Sequence, residues 1–145
     1  MTFRPKKAPT GLTGGKKRPK VKTMAQLKKE LDRVFSLWVR KGGNGHCYTC
    51  NRFVGANGGH CGHFISRSYL ATRWDKDNCR QQCVGCNIFG GGKPLDFEEN
   101  LIEEIGKKRV EALKKKRHEI IKVTLKWYEE QIEKYTDFIS DLPKT

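Results

Sequence analysis

Cys47-Tyr-Thr-Cys50 and Cys83-Val-Gly-Cys86 form two CxxC knuckles with 32 residues between them. Each knuckle puts two thiolates on one side of a tight turn, and two such turns complete a tetrahedral four-sulfur zinc site with no open position. That pattern describes a structural metal. A thioredoxin-type redox pair needs one CxxC near a βαβ pattern, which this sequence lacks, and disulfides need an oxidising compartment. Cys61, Cys79 and His46 are left over. Each is either a substitute ligand or an ordinary residue with no metal role, and the second reading is the simpler one.

The segment that carries the knuckles cannot order itself. Residues 42–92 hold all six cysteines and eleven of the fifteen glycines, but only five aliphatic residues (Val54, Ile65, Leu70, Val84, Ile88). Too little apolar surface is available there, so a metal staple and flanking elements are needed. An amphipathic helix is predicted over 23–41: Thr23 and Gln26 have capping-box spacing, and Met24, Leu27, Leu31, Val34, Phe35 and Trp38 recur at steps of three and four. Gly42 and Gly43 end it after Arg40 and Lys41.

A helical tail is predicted over 94–145. Pro94 suits a first helical position, Asp96, Glu98 and Glu99 suit the positive end of the dipole, and Leu101, Ile102 and Ile105 form a buried face. Further on, Ile121, Leu125, Tyr128, Ile132, Tyr135 and Ile139 repeat in steps of four and three. This spacing serves either a coiled-coil seam between two copies or a helix packed on its own domain.

Residues 1–22 contain eight basic residues and no acid, which predicts a disordered arm acting as a DNA tether or a solubilising tail. The whole chain has 30 Lys plus Arg against 16 Asp plus Glu, a net charge of +14, the footprint of a nucleic-acid binder. No apolar run is long enough to span a bilayer, and none has the make-up of a secretory leader. A reducing compartment is therefore expected for the cysteines.

Between the knuckles lie His60-Cys-Gly-His63-Phe-Ile-Ser-Arg67 and Arg73-Trp-Asp-Lys-Asp77-Asn78, and Asn87 directly follows the last cysteine. The runs GHFISR, RWDKDN, QQC and CxxCN, with a glycine loop after them, resemble the NinG/Rap recombination endonucleases of lambdoid phages. The resemblance extends from about Cys47 to Tyr135, including FxxxLIxxIG at Phe97 to Gly106. It implies an α+β fold: a small ββα-metal (His-Me/HNH) module over 42–93, stapled by the four-cysteine zinc site and flanked by an N-terminal helix and a helical tail.

The resemblance also implies roles. His63 matches the general base that takes a proton from the attacking water, a task suited to a neutral imidazole near pH 7. Asn87 matches a ligand of a catalytic divalent ion, Mg²⁺ or Mn²⁺, which neutralises the phosphate and the leaving 3′ oxygen. Asn78 matches the Asn that braces the loop bearing the base. Two positions depart from the pattern: Gly62 stands where most HNH nucleases have Asp, and His60 stands where related proteins commonly have Asp. His60 ligates softer ions than Mg²⁺, so both the metal and the role of His60 stay open. Taken on the residues alone, His63 could be a satisfied core histidine, Asn87 a helix N-cap and Asn78 a turn residue.

Arg67, Arg73 and Arg80 are either phosphate clamps or solvated charge. Phe64, Tyr69 and Trp74 read as core. Lys107, Lys108, Arg109, Lys114, Lys115, Lys116 and Arg117 form a basic stretch suited to lining the path of DNA arms. The function implied is metal-dependent cutting of branched recombination intermediates (Holliday junctions, displacement loops) by a homodimer, in the cytoplasm of a bacterial host. The competing readings are a zinc-stapled nucleic-acid-binding protein without catalysis, and an HNH enzyme that nicks plain duplex.

Overall fold

Helix α1 (Met24–Lys41) starts where the capping box predicts. The Thr23 hydroxyl accepts from the Gln26 N–H at 3.2 Å, and the Gln26 side chain accepts from the Thr23 N–H at 2.9 Å. Leu27, Leu31, Val34 and Phe35 are buried along one stripe, and the helix stops as the Gly42 N–H bonds back to the Trp38 carbonyl at 2.9 Å. The computed structural model describes residues 15–144 together with Thr2 and Gly11. Arg4, Lys6 and Lys7 of the basic arm lie outside the described residues. Residues 15–23 carry no regular secondary structure, and Lys22 pairs with Glu30 at 2.6 Å.

A two-stranded antiparallel sheet follows, β1 (His60–His63) against β2 (Cys79–Gln82), with His60 opposite Gln82 and His63 opposite Cys79. The connection holds the short helix α2 (Leu70–Arg73), and β2 runs directly into a π-helical turn, Gly85–Phe89. Next come α3 (Pro94–Ile105) and α4 (Lys107–Lys116), separated by Gly106 at φ 88°, a conformation that favours glycine. Phe97, Leu101 and Val110 form a small second core there, covered by Tyr48 and Phe64.

The helical tail is divided into three helices. Residues 117–124 are not helical, and α5 (Leu125–Asp141) begins anew with the Thr124 hydroxyl accepting from the Trp127 N–H at 3.0 Å. The physical reason is local: Ile120, Ile121, Val123 and Thr124 are β-branched and disfavour helix, and Thr124 is a good N-cap. Ile121 thus falls outside the heptad series.

From Tyr128 onward the series packs inside the chain, while Leu125 is exposed. Tyr128 and Tyr135 are buried in the main core with Leu27, Leu31, Val34, Phe35, Trp74 and Cys79, while Ile132 and Ile139 pack at its edge. The Phe35 and Tyr135 rings meet edge to face at 5.0 Å, and the Tyr135 hydroxyl donates to the Trp74 carbonyl at 3.2 Å. The seam therefore closes on α1, and no helix among the described residues is long and apolar enough to cross a membrane. The α1–α5 pair is the platform on which the sheet sits. The molecule is a mixed fold of helices around a small two-stranded sheet, with four clustered cysteines beside it.

Candidate functional site

Cys47 and Cys50 sit on a turn closed by the Cys47 N–H to the Arg52 carbonyl (2.8 Å) and the Asn51 N–H to the Cys47 carbonyl (2.9 Å). Cys83 and Cys86 straddle the exit of β2, where the Cys86 N–H points at the Cys83 sulfur from 3.3 Å. All four sulfurs lie within 4.8 Å of one another, and Cys50 and Cys83 are 3.7 Å apart. Four thiolates at about 2.3 Å from one zinc ion form a tetrahedron with edges of about 3.8 Å, so the donor set fits zinc. His46 stands apart from it, its ring against Phe53. Cys61 and Cys79 do not join it either.

The sulfurs titrate unevenly. Burial raises the Cys47 thiol, but the Thr49 hydroxyl and the backbone of Cys83, Cys50 and Thr49 outweigh it and bring Cys47 down to about 6. Thr49 favours the Cys86 thiolate as well, yet burial and the neighbouring sulfurs push Cys86 up to about 12. Four crowded thiols cannot all ionise alone, and a cation among them removes that conflict.

Beside this centre a cleft of about 430 Å³ lies between α1 and the hairpin. His60, His63 and Asn87 line it from the sheet side with Arg67, and Asp32, Arg33, Ser36 and Arg40 line it from α1. A second hollow of about 540 Å³ lies by Trp38, Tyr48, Arg80 and Glu104 and contains none of the three candidate catalytic residues.

His63 is held in one tautomer. Its Nε2 lies 2.9 Å from the Arg73 carbonyl, and a carbonyl only accepts, so Nε2 carries the proton and Nδ1 keeps its lone pair. Burial, the largest influence, lowers its pKa below 6.5; the charges of Arg67 and Arg73 act the same way, against the carbonyls of Arg73 and Cys61. The ring is neutral at pH 7.

Asn78 fixes the segment that carries this carbonyl. It is fully buried; its Oδ1 accepts from the Ile65 N–H at 2.7 Å, and its Nδ2 donates to the carbonyls of Ile65 and Thr72, both at 3.0 Å. Those bonds bridge the connection between β1 and β2 from within, which goes well beyond turn chemistry. Asn87 lies inside the π-helical turn, whose cap is Val84, so it does not act as an N-cap. Its side-chain amide is 3.1 Å from His60 Nδ1. The pair offers one amide oxygen, once the amide is turned over, and one imidazole nitrogen. His60 belongs to no cluster of three or more His, Cys, Asp or Glu donors among the described residues.

The predicted cations divide by environment. Arg73 is not available to a phosphate: it forms a two-pronged bond with Asp32 (Nε–Oδ1 2.8 Å, Nη2–Oδ2 2.6 Å) and only 11% of its side chain is exposed. Arg80 is likewise engaged, with Glu104 at 3.1 Å and the Lys76 and Cys79 carbonyls, and its guanidinium lies over Tyr48. Arg67 also reaches Asp32, at 3.3 Å, but 58% of its side chain is exposed and it lines the cleft. Of the α4 stretch, Arg109 pairs with Asp77, Lys114 with Glu98 and Glu111, and Lys116 with Asp75, while Arg117 lies over Tyr69. The Asp75 and Asp77 pairs tie α4 to the turn before β2, and the Glu98 pair ties it to α3. Lys107, Lys108 and Lys115 are exposed and in no ion pair among the described residues.

Sequence reasoning treated α1 as core and missed its polar face. Asp32, Ser36 and Arg40 recur at steps of four beside the apolar stripe, which is the signal that would have found them. Asp32 also accepts from the Trp74 indole at 2.9 Å, and Arg73 with Trp74 holds its carboxyl below the usual range despite burial, which acts the other way. Arg40 donates to Ser36 at 3.2 Å and to the Asn57 carbonyl. Gly62 now has a reason: a Cβ there would lie 2.1 Å from Gln82 Oε1. Gln82 cannot yield cheaply, since it is buried and donates to Thr49 at 3.0 Å and to the Gly92 carbonyl at 2.9 Å.

No curated protein and no solved structure matches this chain. The family profile described as Bacteriophage Lambda NinG protein matches residues 12–145, nearly the whole length, and the chain therefore belongs to the NinG family.

Proposed function

We propose that the protein is a metal-dependent endonuclease that cuts branched DNA in phage recombination. One observation carries the reading: a neutral His63, its Nε2 hydrogen fixed by the Arg73 carbonyl and its Nδ1 lone pair left free, lines a cleft with Asn87, His60 and Arg67. Nδ1 takes the proton from a water molecule as the water oxygen attacks phosphorus. Arg67 pairs with the phosphate oxygens, and Arg33 and Arg40 extend the cationic wall. Asn87 and His60 would hold one divalent ion, which when bound neutralises the phosphate and the leaving 3′ oxygen. The imidazole in that pair favours Mn²⁺ over Mg²⁺. Asn78 and the Asp32–Arg73 pair act as positioning residues, because they fix the segment whose carbonyl orients the base. The four-cysteine zinc centre holds the glycine-rich scaffold. The order of strand, strand and helical turn at 60–63, 79–82 and 85–89 is consistent with a short His-Me module.

The branched substrate rests on family membership and on one surface feature. Phe89 is 86% exposed, two residues beyond Asn87, with Ile88 and Leu95 also exposed. An unpaired base at a branch point can stack on such a ring, whereas a closed duplex offers no free base face. Two nicks on opposing strands call for two active sites, which a second copy of the chain would supply.

The second reading, a binding protein without catalysis, is favoured by one fact: His60 and Asn87 form a sparse donor set with no carboxylate. Cleavage of a four-way junction, a flap and a linear duplex of the same sequence tests both readings. Metal-dependent cutting that favours the junction, with the preference reduced in Phe89→Ala, supports the proposal. Binding with no cutting supports the second reading, and equal cutting of all three substrates contradicts the branched one.

A further inference from the structure

Cys61 and His63 stand two residues apart on β1 and so project to the same side of the hairpin. Cys79 is the register partner of His63 on β2, which places its side chain on that side too. The two sulfurs and a ring nitrogen of His63 lie within 4.8 Å of one another, in a group separate from the four knuckle cysteines. Cys79 is 2% exposed behind the cleft, whereas Cys61 and His63 line it. The Arg73 carbonyl lies 2.9 Å from His63 Nε2 and 3.8 Å from the Cys79 sulfur, so it orients two of the three groups. Outer contacts of this kind are usual around metal-ligating histidines.

We propose that Cys61, His63 and Cys79 form a second metal site, selective for a thiophilic cation of the zinc class, and that filling it switches off His63 as a base. Two thiolates and an imidazole are soft donors that discriminate against Mg²⁺. Three protein ligands leave a fourth position toward the cleft. On binding, each thiol releases its proton to solvent as the sulfur–metal bond forms, with no change of oxidation state. A coordinated imidazole has one nitrogen on the metal and its proton on the other. No lone pair is left to accept a proton from water. The binding half of the proposal stands alone; the inhibitory half rests on the endonuclease reading.

The test uses the full chain carrying one zinc ion, titrated with Co²⁺ and read by thiolate-to-cobalt absorption. Wild type is expected to take up one further cobalt ion. Cys61→Ser is expected to weaken that uptake about tenfold or more while keeping the first zinc. In parallel, zinc is titrated into junction cutting with Mg²⁺ or Mn²⁺ in excess. Wild-type cutting should fall as the second site fills, and Cys61→Ser should need about tenfold more zinc. Cys79→Ala repeats both measurements with the buried ligand removed. Uptake of no second ion overturns the site, and a second ion with undiminished cutting overturns the inhibition. A protein that binds the second ion but never cuts supports the site and overturns the endonuclease reading.

Discussion

Replacing Asn78 tests whether the connection between the strands is held from inside. The side chain is fully buried and makes three hydrogen bonds, at 2.7 Å to the Ile65 N–H and at 3.0 Å to the Ile65 and Thr72 carbonyls. Each is worth about 1 kcal/mol net, and Asn78→Ala also leaves the Ile65 N–H and carbonyl without these partners in a dry site, while the Thr72 carbonyl keeps the Asp75 N–H at 3.2 Å, so a loss of about 3–5 kcal/mol is expected. That is a large share of the roughly 5–15 kcal/mol that holds a domain of this kind. Asn78→Asp keeps the shape and the acceptor but turns a carboxylate toward two carbonyls. Its loss at pH 7 should match or exceed that of Asn78→Ala and shrink as the pH falls and the carboxyl regains a hydrogen to donate. Urea unfolding followed by tryptophan fluorescence measures both, since Trp74 lies in the core. An unfolding free energy within about 1 kcal/mol of wild type for Asn78→Ala would refute the bracing role.

Other consequences follow from the same geometry. Because burial lowers the His63 pKa, the base stays neutral as pH falls through 6.5, and the acidic limb of the cutting rate should lie below that value; a limb at or above 6.5 would contradict this environment. Chelation that strips the four-cysteine site should unfold the glycine-rich segment, because a structural zinc contributes about 10 kcal/mol or more. Hydrogen exchange should then rise in residues 44–59 and 83–93 before it rises in α1 and α5. Replacing Lys107, Lys108 and Lys115 by Ala should flatten the slope of log affinity for DNA against log salt by about 2–3, whereas Lys114→Ala, which removes an ion-paired lysine, should change stability more than slope.

Much of this was legible in the residues. The capping box at Thr23 and Gln26, the stop at Gly42 and the two knuckles are local signals with local causes, and all appear where the spacing puts them. His60, His63 and Asn87 do meet in one cleft. What spacing cannot reveal is which partner a charge takes. Arg73 and Arg80 read as free cations, yet Asp32 and Glu104, 41 and 24 residues away, hold them. The break after α4 was written in the β-branched run at 120–124, but the heptad steps across it masked the signal. The grouping of Cys61, His63 and Cys79 depends on strand register, which one unpaired sequence does not state.

The central claim is that His63 is the base of a nuclease, and a single-turnover comparison of wild type and His63→Ala tests it most directly. The substrate is an immobile four-way junction with Mn²⁺ or Mg²⁺, with EDTA as the blank, and junction affinity is measured in parallel. The expected result is a cutting rate about 10²–10⁴-fold lower in the variant at unchanged affinity. Equal rates in the two proteins, or binding with no metal-dependent cut by wild type, would contradict the account.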